Sequence, residues 1–334
     1  MARFGEVLTA MVTPFDASGA VDLDAAQALA KWLVAQGNDG LVIAGTTGEA
    51  PTLTDEEQLD LIKAVCEAVT VPVIGGAGSN DTKHAVHLTA AMKGLGAAGV
   101  LSVTPYYNRP SQAGIEAHFR AVAAATDLPV IIYDIPVRTG RKIDNTVMLR
   151  LANDLKHVVA VKDAANDVSS SAKLMAEAPA GFELISGNDD QTLPLLSIGA
   201  SSVIGVATHW VAAECKEMIT AFLKGDVEHA RLVNARLIES WVFEGGDATP
   251  NPQPSKAMLR TLGLKVGYCR PPMDGEPADL EDRARKVWAN LHPNGAPASA
   301  KVPSGSGSAS GSASSSGSSR SAEPQTHGTL LRPS

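Results

Sequence analysis

The chain has 334 residues, 44% of them hydrophobic, enough for a sizeable core in one large domain or two ordinary ones. Its formal net charge of -8, with no basic cluster, argues against nucleic acid or an anionic membrane as the main partner. Cys66, Cys215 and Cys269 are scattered without metal-ligand spacing, there is no signal-like apolar stretch at the start, and no uncharged run approaches the roughly 20 residues of a membrane helix, so a soluble cytoplasmic protein is expected.

Short apolar strands alternate with longer amphipathic helices from residue 6 onward. The spacing predicts a strand over 7–13 and a helix over 22–36, with Leu23, Ala26, Leu29, Ala30 and Leu33 on one face. A strand over 40–44 runs into the glycine-rich Gly45-Thr46-Thr47-Gly48-Glu49. Thr54 is a natural N-cap for the next helix, and Glu57, three residues on, completes a capping box. Strands over 71–75 and 99–103 follow, with helices from about 81 and over 112–126. The same beat gives strands over 129–133, 158–162, 182–186 and 202–206, alternating with helices over 145–153, 167–178, 190–198 and 212–223.

Eight strand–helix units without a long interruption are the rhythm of an α/β chain closed into a (β/α)8 TIM barrel. A doubly wound open sheet competes less well, because no nucleotide fingerprint follows the first strand. Beyond residue 225 the pattern is helical only, over 226–241, 255–262 and 280–291, and from about 294 the composition collapses into Gly, Ser, Ala and Pro. The expected organisation is a barrel over 1–225, a helical domain over 226–293 and a disordered tail over 294–334.

The stretch Val158-Val-Ala-Val-Lys162-Asp163 organises the rest. Four apolar residues, three of them β-branched, read as a strand buried on both faces, with a lysine at its end. Active sites of such barrels lie at the C-terminal strand ends. Those ends carry Thr46 and Thr47, then Thr104-Pro-Tyr106-Tyr107, then Tyr133 with Arg138 behind it, Lys162, and Gly187-Asn188-Asp189. A free lysine, with a pKa of about 10.4, is a neutral nucleophile in only about one copy in 2,500 at pH 7. Lowering that pKa by ~3 units costs the ammonium ~4 kcal/mol, which burial at a strand end supplies. The neutral amine would then form a Schiff base with a ketone or aldehyde, tyrosine and threonine hydroxyls would shuttle protons, and Arg138 would hold a carboxylate at two points. Each piece also has a plain structural reading: Lys162 as the start of a solvated loop, Tyr106-Tyr107 as a surface pair, Tyr133 as a core aromatic, Arg138 as a turn residue, Gly45–Gly48 as a tight turn. His84 and His87, at i, i+3 on a helix, lack a third ligand and read as surface histidines. With no HExxH, P-loop or paired CxxC, neither a metal nor a cofactor is indicated.

Taken together, these residues resemble the dihydrodipicolinate synthase / N-acetylneuraminate lyase family of Schiff-base barrels. Gly45-Thr-Thr-Gly-Glu49 matches its signature loop, and Tyr133-Asp-Ile-Pro-Val-Arg138-Thr-Gly140 its Y-x-x-P-x-R-T-G form, with Thr104-Pro-Tyr-Tyr107 and Lys162 in the expected order over about residues 5–290. The resemblance implies a homotetramer built from tight dimers, with Lys162 forming the Schiff base with pyruvate. It makes Tyr133 the proton-transfer residue, linked through Thr46 to Tyr107, a tyrosine that the family lends from a neighbouring subunit. Thr47 would bind the pyruvate carboxylate and Arg138 the carboxylate of the second substrate, with Gly187 and Ile204 also at substrate-binding positions. Arg138 points to the synthase branch, in which pyruvate condenses with aspartate 4-semialdehyde on the way to diaminopimelate and lysine. A lyase acting on a 2-keto-3-deoxy sugar acid, and a catalytically silent small-molecule-binding barrel, are the alternatives.

The chain also departs from the family pattern. Lys162-Asp163-Ala164-Ala165-Asn166 stands where K-E-[AS]-[TS]-G is common, and Asn188 where aspartate is usual. Gln58 and His84 replace the histidine and glutamate that lysine-inhibited members carry at an allosteric site, while Asn80 and Tyr106 remain. Weak or absent feedback by lysine is expected.

Overall fold

A computed structural model describes residues 2–295. Eight parallel strands close into a barrel in sequence order: β1 (Val7–Ala10), β2 (Gly40–Ile43), β3 (Val73–Gly76), β4 (Gly99–Val103), β5 (Val130–Asp134), β6 (Val158–Asp163), β7 (Glu183–Ser186) and β8 (Ser202–Gly205). The interior is filled by alternate residues of these strands, among them Leu8, Val42, Ile74, Leu101, Ile131, Ile185 and Ile204, so the barrel is a packed core and not a pore.

Helices α1 (Leu23–Ala35), α2 (Asp55–Ala68), α3 (Thr82–Ala91) and α4 (Gln112–Ala124) cover the first half of the ring. The capping box at α2 forms as expected: the Thr54 hydroxyl accepts the Glu57 N–H at 3.2 Å, and Glu57 accepts the Thr54 N–H at 3.0 Å. The second half carries α5 (Pro136–Thr139), α6 (Asn145–Asp154), α7 (Val168–Glu177), α8 (Thr192–Leu196) and α9 (Thr208–Leu223). Two of these depart from the predicted elements. The loop after β5 winds into the single turn α5, which Pro136 favours by fixing φ at the first helical position, and α9 starts at Thr208, before a non-helical Val211 with φ -125 and ψ 23. Its first turn, Thr208-His209-Trp210, is buried under the barrel rim, so its residues carry no amphipathic signal.

Helices α10 (Val227–Phe243), α11 (Gln253–Thr261) and α12 (Leu280–Leu291) follow and share one apolar cluster with α9, through Met218, Ile219, Leu237, Trp241, Met258 and Leu280. Packing therefore runs across the change of pattern at 225. Most of the tail expected from 294 onward lies outside the described residues.

One buried ion pair ties these helices to the barrel. Lys256 of α11 has its ammonium 2.7 Å from the Glu49 carboxylate, with both side chains fully enclosed. The same ammonium donates to the Tyr268 carbonyl at 2.9 Å and lies 4.1 Å from the Phe15 ring centre. The second oxygen of Glu49 accepts the Arg270 N–H at 2.8 Å. Glu49 itself has a left-handed backbone with φ 56, as the last residue of the glycine-rich loop after β2. Lys256→Met strands a buried carboxylate and is expected to cost about 3–5 kcal/mol in urea unfolding, with Glu49→Gln in the same chain recovering part of the loss.

Candidate active site

Strand β6 delivers Lys162 to the barrel mouth, where the residue is only 4% exposed. In the sheet register Lys162 pairs with Tyr133 of β5 on one side and Ile185 of β7 on the other. Neighbouring residues of a parallel pair share a face, and the Lys162 amine accordingly sits 4.3 Å from the centre of the Tyr133 ring. Burial pulls the lysine pKa from 10.5 down to about 8; the Asp189 charge opposes this, Arg138 adds to it, and Glu244 opposes it. Burial also pushes the Tyr133 phenol from 10.0 up to about 12, so the tyrosine keeps its proton and can hand it over only in exchange for another.

Lys162 and Tyr133 line a cleft of about 480 Å³ together with Thr46, Thr47, Arg138 and Gly187. Thr47 is fixed from outside the barrel: its hydroxyl accepts the side-chain amide of Asn251 at 2.9 Å. Arg138 rides on α5, in the last turn before Gly140, which takes the left-handed conformation with φ 71. At Gly187 a side chain would press against the Asp163 carbonyl, to which the Gly187 N–H already donates at 2.7 Å. Gly187 thus brings bare backbone to the cleft, with its N–H already committed.

Two residues singled out in the sequence lie elsewhere. Ile204 is fully buried in the barrel interior, in the same cluster as Tyr133 but below the cleft. Tyr107 is 89% exposed, on a left-handed residue with φ 72, and does not line the cleft, so the link from Thr46 to Tyr107 is not made within one chain.

The departures after β6 and β7 meet each other. Asn166 takes a left-handed φ of 56, which asparagine tolerates better than most residues, and its side-chain oxygen accepts the Asn188 amide at 2.6 Å. Asp163 turns inward, accepting the Ala165 N–H at 2.8 Å and the Ser171 hydroxyl.

Glu244 and Asn251, both of which line the cleft, were not visible as site residues in the sequence. They follow α10 in a Gly-Gly-Asp turn whose composition marks only a loop. Asp189 reads in the sequence only as part of the loop Gly187-Asn188-Asp189, although it is buried next to Glu244.

A second cleft, of about 440 Å³, lies behind the first and shares Thr46, Ile135 and Arg138 with it. Gln58, Asn80, His84 and Tyr106 line it. There Gln58 donates to the Gly76 carbonyl at 2.7 Å, and the His84 ring lies 2.8 Å from the Asp55 carboxylate. Among the described residues no helix is long and apolar enough to cross a membrane.

Comparison with known proteins agrees with this geometry. The family model described as the dihydrodipicolinate synthetase family matches residues 3–289. A 4-hydroxy-tetrahydrodipicolinate synthase of Acidothermus cellulolyticus is 49% identical over 290 residues, covering 86% of this chain and 92% of that protein. One from Moorella thermoacetica is 44% identical over 295 residues, covering 88% and 99%. Among solved structures, the dihydrodipicolinate synthase of Cyanidioschyzon merolae with lysine bound superposes with a TM-score of 0.84 at 40% identity, covering 86% of this chain and 98% of that one. With the barrel, the buried lysine and both signature loops in place, the chain belongs to the dihydrodipicolinate synthetase family.

Proposed function

We propose that the chain is a Schiff-base-forming lyase that condenses pyruvate with L-aspartate 4-semialdehyde to 4-hydroxy-tetrahydrodipicolinate, in the cytoplasmic synthesis of diaminopimelate and lysine. The observation that carries this is the Lys162 amine, buried over the Tyr133 ring in a cleft that Arg138 also lines. The names of the 49%- and 44%-identical relatives support the same activity.

Neutral Lys162 attacks the C2 carbonyl of pyruvate, and the carbinolamine loses water to give an iminium. Thr47 binds the pyruvate carboxylate. Loss of a methyl proton turns the iminium into an enamine, whose C3 attacks the aldehyde carbon of the semialdehyde. The amino group of the adduct then attacks the imine carbon, closing the ring and returning Lys162. Tyr133, held protonated, exchanges the protons these steps need with Thr46, and Arg138 takes the semialdehyde carboxylate in two-point contact. Gly187 and Ile204 complete the pocket, one as bare backbone and the other from beneath. Tyr107 serves a neighbouring subunit in a homotetramer, which suits its exposed, left-handed position. No cofactor or metal takes part. A lyase for keto-deoxy sugar acids shares Lys162, Tyr133 and Thr47 but has no evident use for Arg138, and a silent barrel has no need of the set.

Three outcomes follow. Pyruvate with borohydride adds mass at Lys162, at a rate that climbs with pH as the amine sheds its proton and levels off above about 8; Lys162→Ala gains no mass. Arg138→Ala keeps this trapping but loses about 10- to 100-fold in kcat/KM for the semialdehyde, the worth of one charge-assisted contact. Lysine inhibits weakly or not at all, because Gln58 and His84 supply no carboxylate where the second cleft would meet its ammonium and Asp55 is already engaged by His84. Inhibition by sub-millimolar lysine in the coupled assay would overturn that last expectation.

A further inference from the structure

Two buried carboxyls stand beside the reactive lysine, and the steps above leave both unused. Where β8 hands over to α9, Asp189 accepts the Val206 N–H at 2.7 Å and Glu244 accepts the next one, from Ala207, at 3.0 Å. Held by consecutive backbone N–H groups, the two carboxyls lie close enough to act directly on each other. The other Asp189 oxygen is buried and receives no amide, amine or hydroxyl hydrogen from the described residues. Two carboxylates this close and out of water do not both keep their charge, so one of them carries a proton. Glu244 lines the cleft, and both carboxyls act electrostatically on the Lys162 amine.

We propose that Asp189 and Glu244 share a single proton, carried on Glu244, and that the one negative charge left on the pair is the buried counter-ion of the iminium formed on Lys162. Burial and then the Asp189 charge hold the Glu244 carboxyl well above its ordinary range, while two backbone N–H groups keep the pair anchored at β8. One charge is the useful number. Two would pull the lysine back towards its ordinary basicity and remove the nucleophile, and none would leave a buried cation without a partner once water has departed. Other groups also act on the three. Asp190 faces Glu244 from the neighbouring turn, and Arg138 acts on Lys162 from α5. The Cys215 thiol of α9, itself pushed well up by burial, faces both acids, and Asp247 lies on the cleft rim. None of these offers Asp189 a proton.

The counter-ion matters only if Lys162 forms the imine assigned above, so the experiment reads the two separately. Borohydride trapping of pyruvate on the unaltered chain tests the imine by itself; no added mass at Lys162 ends that assignment whatever the acids do. Infrared difference spectra between neutral and alkaline solution report the pair with no substrate present. The carbonyl stretch of a protonated carboxylic acid is expected at neutral pH and should vanish in Glu244→Gln; its absence from the unaltered chain overturns the shared proton.

The charge is then tested by trapping across pH. In Asp189→Asn/Glu244→Gln the amine sheds its proton more easily, so the rising limb of imine formation moves about one to two pH units lower. Above that limb the iminium has lost its counter-ion, and imine occupancy at fixed pyruvate falls about 10- to 100-fold. Glu244→Gln alone keeps the Asp189 charge, and it costs at most a few-fold in occupancy. A folded double variant with an unmoved limb and unchanged alkaline occupancy overturns the counter-ion role, as does a single variant that loses as much as the double. Should the double variant fail to fold, the infrared band and the single variant still decide.

Discussion

Keeping one amine out of water is the constraint on which the rest of the molecule depends. Bringing the Lys162 pKa from 10.5 to about 8 disfavours its ammonium by roughly 3 kcal/mol, a sizeable fraction of a typical domain's stability. A loop would yield to that penalty by turning the side chain outward. At the end of β6 the backbone is held by β5 on one side and β7 on the other, and no such escape is open. The closed ring is thus what lowers the lysine's pKa, because it fixes the point to which hydrocarbon can be packed around a charged group.

The parts of this arrangement legible in the sequence were those carried by local pattern. β-branched runs of four or five residues, separated by amphipathic helices, announce a parallel barrel, and the barrel in turn announces which residues stand at its mouth. Thr46, Thr47, Tyr133, Arg138, Lys162 and Gly187 all line one cleft for that reason. Residues placed by tertiary packing left no such trace. Glu244 and Asn251 belong to a turn after α10, and nothing in a helical repeat tells where the end of that helix lands relative to a barrel. Lys256 is a lysine in an amphipathic segment, and burial beside Glu49 is the opposite of what its type suggests. Ile204 lies within the strand expected over 202–206, and its side chain is on the filled interior and not at the rim.

Departures from a family pattern show the same division. Asn166 and Asn188 look like two separate losses when the sequence is read along its length. In space they are one hydrogen bond, joining the loops after β6 and β7 at the cleft that Lys162 lines. Asparagine at 166 also satisfies a left-handed backbone, so a single side chain meets both a conformational and a bonding requirement.

The Glu49–Lys256 pair carries a consequence for how this chain can be taken apart. The loop that presents Thr46 and Thr47 is pinned at Glu49 by α11, and Thr47 is held by Asn251 just ahead of that helix. A ring of eight strands excised at the end of α9, or grafted without its trailing helices onto another protein, would keep its buried lysine yet surrender the two anchors of the loop that carries Thr46 and Thr47. Recombination between relatives of this enzyme must therefore inherit strand β2 and helix α11 as a matched set.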